Sequence, residues 1–253
     1  MKIVTWNCNG ALRNKTPKLD SLEADLLIIQ ECENPAESTY AFREWSGEFL
    51  WKGKSKHKGI GIFPRKGHTV KETEWFGVHD MRGMHSRSPA TNWHSDELEL
   101  FLPFTLDEKY SILGVWTKGS DEKTFSYIGQ LWKYIQIHRK ELSQNKTIVI
   151  GDLNSNAIWD KPDRWWNHSD VVNELNELGV QSVYHSSRNE EHGKEIQPTF
   201  FLHRNLDKAY HIDYVFASAD LLPCCRIEVG SSDMWLQFSD HLPLSVEFNP
   251  PIE

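Results

Sequence analysis

The chain has 253 residues, 39% of them hydrophobic, and it carries a formal net charge of −8. This length and composition predict one large α/β domain spanning residues 1–253, with a core that needs no cross-links. The net negative charge argues against broad, non-specific binding to duplex nucleic acid, because such binding depends on clustered lysine and arginine.

The cysteine pattern and the absence of long apolar runs point to a reducing compartment. The four cysteines, Cys8, Cys32, Cys224 and Cys225, form no Cys-x-x-Cys pair, and the sequence has neither an N-terminal signal nor an apolar run of 18 residues. We therefore expect a cytoplasmic protein that does not enter a membrane. We also expect a monomer. Buried thiols are expected, with a vicinal Cys224–Cys225 disulfide as the alternative, and the cysteines indicate no zinc site.

The first quarter of the chain alternates short apolar runs with polar clusters. The runs at residues 2–6 and 25–29 predict buried strands, which lead into Asn7 and Glu31 respectively. Residues 12–21 and 40–45 predict helices. Residues 48–51 and 59–63 predict a strand pair joined by a basic segment, residues 52–58. This segment, which ends at Lys58, is a candidate phosphate contact, and a solvated hairpin tip explains it equally well.

The middle of the chain holds one segment without clean periodicity and one strand with a polar end. Residues 67–99 are interpreted as a substrate-side loop; its polar and aromatic residues include Arg82, His85, Arg87, Asn92, Trp93 and His94. Residues 110–117 predict a strand and residues 125–142 a helix packed on the sheet. The β-branched run 147–150 ends at Gly151, Asp152 and Asn154. Such an end suits a ligand site, although an Asx-type turn is the alternative.

The last third of the chain supplies two further polar positions on strands. A helix is predicted from Ser169 to Leu178, with Gly179 as its stop, and residues 184–196 are interpreted as a polar loop. The strand at residues 211–216 carries Asp213 inside an apolar run. Asp240 and His241 precede the final strand, residues 244–248.

Five segments far apart in sequence each bring hard oxygen ligands or a histidine to a strand, and together they resemble a known family. The motifs are Trp-Asn-x-Asn-Gly (residues 6–10), Ile-Gln-Glu (29–31), Gly-Asp-x-Asn (151–154), Ile-Asp-Tyr (212–214) and Ser-Asp-His-x-Pro (239–243). This ordered set resembles the endonuclease/exonuclease/phosphatase superfamily. The resemblance implies a four-layer α/β sandwich, in which two packed mixed β-sheets are flanked by helices.

The resemblance also implies a divalent-metal-dependent phosphoester hydrolase. Its expected cofactor is Mg²⁺, with Mn²⁺ as the alternative, because Mg²⁺ binds a few oxygen ligands and keeps several waters. Glu31 is assigned as the principal metal ligand. Asn7 and Asp240 are assigned as further or water-mediated ligands.

Four residues receive catalytic roles at the positions that match the motifs. His241 is expected to face the phosphate, and Asp213 to accept the other imidazole N–H. Asp152 is expected to position or deprotonate the attacking water, and Asn154 to donate a hydrogen bond to a phosphate oxygen. The favoured function is a nuclease that cleaves phosphodiester bonds of DNA or RNA. The alternative is a phosphatase or phosphodiesterase for a small phosphorylated molecule or a lipid head group.

Three aromatic positions bear on the substrate. Trp116 aligns where relatives usually carry Tyr or His, and an indole cannot exchange a proton near neutral pH, so general-acid help from this position is expected to be absent. Lys118 and Gly119 follow where nuclease members often have Asn. Phe200 and Tyr210 match, in residue type, a pocket for an extrahelical sugar in DNA-repair relatives; a place in the core is the alternative.

Overall fold

The computed structural model describes residues 1–81, 91–119 and 125–249, and most of its strands form two six-stranded sheets. The strands are β1 (Lys2–Asn7), β2 (Leu26–Cys32), β3 (Leu50–Ser55), β4 (Lys58–Pro64), β5 (Val70–Glu72), β6 (Val78–Asp80), β7 (Asn92–His94), β8 (Phe101–Leu106), β9 (Tyr110–Trp116), β10 (Thr147–Asp152), β11 (Val180–Ser182), β12 (Phe200–Phe201), β13 (Ala209–Tyr210), β14 (Asp213–Ser218), β15 (Cys225–Val229) and β16 (Leu244–Phe248). The helices are α1 (Thr16–Asp20), α2 (Tyr40–Ser46), α3 (Ile128–Ile137), α4 (Arg139–Leu142), α5 (His168–Glu177), α6 (Val183–Arg188) and α7 (Ser232–Trp235).

Both sheets are mixed. The first has the strand order β15-β16-β1-β2-β4-β3, and the second has the order β11-β14-β10-β9-β8-β5. In each sheet one central pair is parallel, β1 with β2 and β9 with β10, and the neighbouring pairs are antiparallel. Because β1 and β10 each run parallel to a neighbour, the carboxyl ends of these strands can present side chains along one edge of each sheet.

The two sheets pack face to face, and helices cover their outer faces. Alternate side chains of the central strands point between the sheets, where Ile28 and Ile62 of the first sheet meet Ile148 and Val215 of the second. The intervening side chains form the two outer clusters. One joins strand residues to α2 and α7, and the other joins strand residues to α3 and α5. The predicted four-layer α/β sandwich is therefore confirmed.

Several local predictions need correction. The first part of the predicted loop 184–196 belongs to the helix α6, because Val183 and Tyr184 are buried against the core and stabilise a helix that its own sequence favours weakly. The helix predicted from Ser169 begins at His168, and Asn167 caps it together with Asp170.

The described parts of the segment 67–99, which are residues 67–81 and 91–99, contain strands that were not predicted. They contribute β5, β6 and β7, and Trp93 of β7 is fully buried against Phe125 and Trp132. Trp93 is therefore a core residue and not part of a substrate-side loop. The predicted loop residues Arg82, His85 and Arg87 lie outside the described residues. Across the described ranges, every helix is too short or too polar to cross a membrane.

Candidate active site at the edge between the two sheets

The two sheets are joined at one edge by a hydrogen bond between the last residues of β1 and β10. The Asn7 side-chain amide donates to the Asp152 carboxylate at 2.9 Å and approaches Glu31 at 3.5 Å. Both Asn7 and Asp152 are buried. Three of the predicted site residues, from three different strands, therefore share one set of contacts.

Glu31 reaches this edge through an irregularity in β2. The register of β2 against β4 shifts between Gln30 and Cys32, and Glu31 has a positive φ of 60°. A β-bulge turns a side chain out of the regular alternation. A left-handed conformation costs energy for a residue other than glycine and is found preferentially at functional sites.

Asp152 is held by its own turn as well as by Asn7. One carboxylate oxygen accepts the backbone N–H of Asn154 at 2.8 Å, and the other accepts the Asn154 side-chain amide at 2.9 Å. The Asx-type turn is therefore present, and it orients a buried carboxylate towards the other site residues. The second amide hydrogen of Asn154 goes to the Thr117 carbonyl at 3.0 Å.

The glycine before Asp152 is required by a close backbone approach. Gly151 has a φ of +145°, and a Cβ placed there would lie 1.9 Å from the carbonyl oxygen of Val115 on β9. No side chain can be accommodated at that distance. The strand pair β9–β10 can therefore stay in register up to Asp152 only with glycine at this position.

His241 and Asp213 form a buried pair beside Asp152. His241 Nδ1 lies 3.0 Å from Asp213 Oδ2, and both residues are at least 95% buried. Asp213 is the register partner of Asp152 across β10 and β14. Thr199, which is fully buried, fixes the start of β14, because its hydroxyl oxygen accepts the backbone N–H groups of Ile212 and Asp213 at 3.0 Å each.

Asp240 is connected to the site through Asn9. The Asn9 side-chain amide donates to Asp240 at 3.0 Å, and the backbone N–H of Asn9 donates to the Asn7 amide oxygen at 3.0 Å. The buried Ser239 hydroxyl donates to the Asn7 carbonyl at 2.8 Å. These bonds fix the segment 239–241 against the end of β1.

The pKa values of Asp152 and His241 are both raised, but for different reasons. Burial raises the pKa of Asp152 to about 7; His241 opposes this shift and Asp213 adds to it. At His241 burial lowers the pKa, but the carboxylates of Asp213 and Asp152 outweigh it and raise the pKa to about 9. The imidazole is therefore cationic near neutral pH, and Asp152 is poised to exchange a proton there.

The basic segment 52–58 is mostly engaged with the protein itself. Lys58 contacts the Glu31 carboxylate, Lys54 pairs with Glu99 at 2.9 Å, and Lys52 donates to the Phe101 carbonyl at 3.1 Å. The structure thus brings Lys58 to the site. It leaves Lys56 and His57 as exposed residues at the hairpin tip.

Aromatic rings extend outward from His241. Phe200 packs on the imidazole with ring centroids 4.6 Å apart, and it pairs with Tyr210 across β12 and β13. The rings of Tyr210 and Trp159 also pack together, with centroids 5.1 Å apart, and Trp159 is 44% exposed. We call Phe200, Tyr210 and Trp159 the aromatic row. Phe200 and Tyr210 are only partly buried, so neither is an interior core residue.

Trp116 lies beside Asp152 but is nearly enclosed. It is the register partner of Asp152 on β9, its side chain is largely buried with 3% relative exposure, and the Lys118 ammonium lies 5.4 Å from its ring centroid. This places Trp116 next to the site with little surface for direct contact. Its role toward the substrate stays a prediction.

The donor atoms at this edge suit a hard divalent cation. Asp152, Asp213 and His241 each offer a ligand atom within 4.8 Å of the others, and Glu31 and Asp240 add carboxylates nearby. Oxygen donors dominate this set, as Mg²⁺ and Mn²⁺ prefer. The Glu31 side chain is 20% exposed and is therefore accessible to an ion from solvent.

Some residues that build the site were not identified from sequence. Thr199 holds Asp213, Ser239 holds the end of β1, and the Trp6 indole N–H donates to the His241 carbonyl at 2.9 Å. Trp6 and Ser239 lie inside the recognised motifs, and their positions there could have identified them as residues that build the site. Thr199 had only its place in a Thr-Phe pair before the Asp213 strand.

Comparisons with known proteins agree with this fold. The family model described as the Endonuclease/Exonuclease/phosphatase family matches residues 4–241. A comparison with curated proteins gave no significant match.

Among solved structures, a 3'-5' exonuclease from Neisseria meningitidis is 19% identical with a TM-score of 0.68. The match covers 99% of this chain and 100% of that protein's chain. The same values apply to a Neisseria 3' phosphatase bound to a product DNA hairpin. An AP endonuclease from Archaeoglobus fulgidus is 18% identical with a TM-score of 0.67, again covering 99% and 100%.

Proposed function

Because the chain belongs to the Endonuclease/Exonuclease/phosphatase family, we propose that it is a divalent-metal-dependent phosphoester hydrolase and that its substrate is a nucleic acid. The observation that carries the proposal is the joining of the two sheets at Asn7 and Asp152, with the His241–Asp213 pair directly beside them. A water-activating carboxylate and a cationic imidazole at one edge are the groups that in-line attack on a phosphate requires.

Asp152 is the proposed general base. Its two oxygens accept three hydrogen bonds from Asn7 and Asn154, which fix its direction, and its raised pKa suits proton acceptance from water near neutral pH. Asn154 uses both of its amide hydrogens on protein acceptors. We therefore favour a positioning role for Asn154 over the phosphate contact predicted from sequence.

His241 is the proposed phosphate contact. Its Nδ1 is occupied by Asp213, and its Nε2 makes no hydrogen bond with any described residue. An imidazolium so held can donate the Nε2–H to a phosphate oxygen, where it stabilises the negative charge that develops during attack. Asp213 keeps the ring charged and oriented.

The proposed metal ligands are Glu31, Asn7 and Asp240, and the proposed ion is Mg²⁺, with Mn²⁺ as a substitute. When bound, such an ion neutralises the phosphate and stabilises the leaving oxygen. Lys58 contacts Glu31 directly, so its ammonium competes with the ion for this carboxylate. Asn9 links the Asp240 carboxylate to the Asn7 amide and keeps the ligands together.

A nucleic acid is favoured as the substrate by the aromatic row. Its rings lead from His241 to the exposed indole of Trp159, and base stacking on aromatic rings tolerates any sequence. A cavity of about 220 Å³ adjoins Trp159 and is lined by Asn154, Tyr127 and Arg164. The similar structures include enzymes described as an exonuclease, an AP endonuclease and a 3' phosphatase bound to DNA.

A phosphatase or phosphodiesterase for a small phosphorylated molecule is the second candidate. The net charge of −8 and the internal pairing of Lys52, Lys54 and Lys58 favour it, because this pairing makes three lysines of the basic segment less available to a long phosphate backbone.

The test is an activity panel with Mg²⁺, Mn²⁺ or a chelator, over plasmid, single-stranded DNA, abasic duplex, 3'-phosphorylated DNA, RNA and small phosphoesters. We expect metal-dependent hydrolysis of at least one nucleic acid substrate, and its loss in Asp152→Asn. The exposed Asp207→Asn serves as the matched control. Hydrolysis confined to small phosphoesters would support the second candidate, and hydrolysis that persists in Asp152→Asn would contradict the assigned base.

A further inference from the structure

A second group of side chains that could bind a metal lies next to Asn156 and His211, outside the active site. His185, His192 and Glu195 each offer one ligand atom, and these atoms all lie within 4.8 Å of one another. His185 belongs to α6, whereas His192 and Glu195 belong to the segment that follows it. We propose that these three residues bind a divalent transition-metal ion, for which Zn²⁺ is the best match. This proposal is independent of the proposed function.

Glu195 brings a buried negative charge to this cluster. Its side chain is only 4% exposed, and its hydrogen-bond partners are His185 Nε2 at 3.0 Å, Asn156 Nδ2 at 3.1 Å and the Gly193 N–H. Among the described residues, no lysine or arginine forms an ion pair with it. A buried carboxylate is costly unless a cation or several donors compensate it.

The surrounding imidazoles also have lone pairs to offer. His168 Nε2 lies 3.2 Å from His192 Nδ1, and its own Nδ1 is buried without a partner. His211 Nδ1 lies 2.7 Å from the Gln197 carbonyl and must carry the proton, so its buried, unpartnered Nε2 is a bare acceptor. Neutral imidazoles are the form that binds metal ions.

The donor set distinguishes this cluster from the active site. Two or more imidazole nitrogens with one carboxylate suit Zn²⁺ and related transition metals, whereas Mg²⁺ prefers oxygen donors alone. Tetrahedral bonds of 2.0–2.1 Å put neighbouring ligand atoms ~3.3 Å apart. His185 Nε2 and Glu195 Oε1 are 3.0 Å apart, which is a hydrogen-bond distance close to that spacing. The His185 and His192 rings are stacked with centroids 3.5 Å apart, so one of them must turn for both to bind the same ion. Ser182 Oγ contacts the other His185 nitrogen at 2.7 Å, as an outer partner that orients a ligand does.

An ion here would fix the segments that carry the catalytic residues. Asn156, which follows Asn154 closely in the chain, donates both to Glu195 and, at 2.9 Å, to the carbonyl of His211. His211 leads into β14 and therefore into Asp213. The ion would thus tie α6 and its following segment to the ends of β10 and β14, a stabilising role without contact to the substrate.

The experiment uses the full chain produced without a histidine tag. Elemental analysis of the purified protein should find about one equivalent of a transition metal per chain, and stripping with a chelator followed by Zn²⁺ addition should restore it. The thermal unfolding temperature should rise on Zn²⁺ addition. His192→Ala and Glu195→Gln should lose the bound ion, whereas exposed His57→Ala and the active-site variant Glu31→Gln should retain it.

Two results of these measurements would overturn the proposal. One is wild-type protein with only trace transition metal and an unfolding temperature that Zn²⁺ does not change. The other is an ion retained in His192→Ala but lost in Glu31→Gln, which would place it in the active site. If His192→Ala fails to fold, Co²⁺ titration of the stripped wild type decides. A visible absorption band typical of tetrahedral nitrogen and oxygen ligands supports the site, and its absence contradicts it.

Discussion

His241 Nδ1 and Asp213 Oδ2 lie 3.0 Å apart in a part of the site that is almost closed to water. In such surroundings a carboxylate strengthens the positive charge on an imidazole and fixes which nitrogen faces outward. The hydroxyl of Thr199 accepts the N–H of Asp213 and so holds that carboxylate in place. The orientation of His241 therefore depends on Thr199, which lies far from it in the sequence.

The first prediction concerns this pair. Asp213→Asn keeps the shape of the side chain and removes its charge, so the imidazole loses the main group that keeps it cationic. We expect kcat to fall by ~10²–10⁴, the usual contribution of acid–base assistance. Single-turnover rates on the substrate found in the panel measure this change. Asp207→Asn, on the exposed loop, should be unaffected, and a near wild-type rate for Asp213→Asn would contradict the role assigned to His241.

The second prediction concerns the metal. Glu31→Gln replaces the principal proposed ligand by a neutral amide, so Mg²⁺ binding should weaken by an order of magnitude or more and most activity should be lost. Isothermal calorimetry measures the affinity directly. Glu44→Gln on the exposed face of α2 is the matched control. Unchanged Mg²⁺ affinity in Glu31→Gln would show that the ion is held elsewhere.

The strand-end residues could be predicted from sequence because their positions are local. A buried apolar run followed by Asn7, Glu31 or Asp152 marks the end of a strand, and parallel pairing brings such ends together. The resemblance to the family then indicated which of these strand ends lie together in space. In this way the sequence predicted both the two-sheet fold and the set of side chains at its edge.

The contacts between distant side chains could not be predicted in the same way. Lys58 reaches Glu31 across the β2–β4 pair, and nothing in the basic segment distinguishes it from Lys56. The helix α6 was missed because its histidine and serines favour helix weakly, and burial of Val183 and Tyr184 decides the outcome. The cluster at His185 was missed for the same reason, since tertiary packing alone assembles it.

The third prediction concerns the close approach at Gly151. Gly151→Ala places a methyl group against the Val115 carbonyl and forces an unfavourable φ, so it should destabilise the protein by about 2–5 kcal/mol. Gly67→Ala is the matched control, because Gly67 also has a positive φ but meets nothing within 4 Å. Gly67→Ala should lower the free energy of unfolding only by the cost of the unfavourable φ, about 1–2 kcal/mol. Urea unfolding compares the two; equal losses would mean that β9 can move away.

The fourth prediction concerns the thiols. Burial raises the pKa of Cys8 to about 12 and that of Cys225 to about 12, and it raises the pKa of Cys32 well above the usual value. A raised pKa means less thiolate at pH 8, and the thiolate is the reactive form. In the native protein iodoacetamide should therefore label Cys224 first, as mass spectrometry of the peptides can measure. In denaturant all four should react, and early labelling of Cys8 would contradict the burial described here.

The last prediction concerns the indole beside Asp152. Trp116 is nearly enclosed and cannot exchange a proton near neutral pH, so it should contribute packing and at most one hydrogen bond. Trp116→Phe keeps the aromatic packing and removes the N–H. It should cost on the order of 0.5–1.5 kcal/mol in kcat/KM. His241→Ala removes the proposed phosphate contact and leaves Asp213 without its partner, so its loss should be far larger. Measuring kcat/KM for both variants on one substrate tests the comparison. Equal losses would mean that the indole acts on the substrate directly.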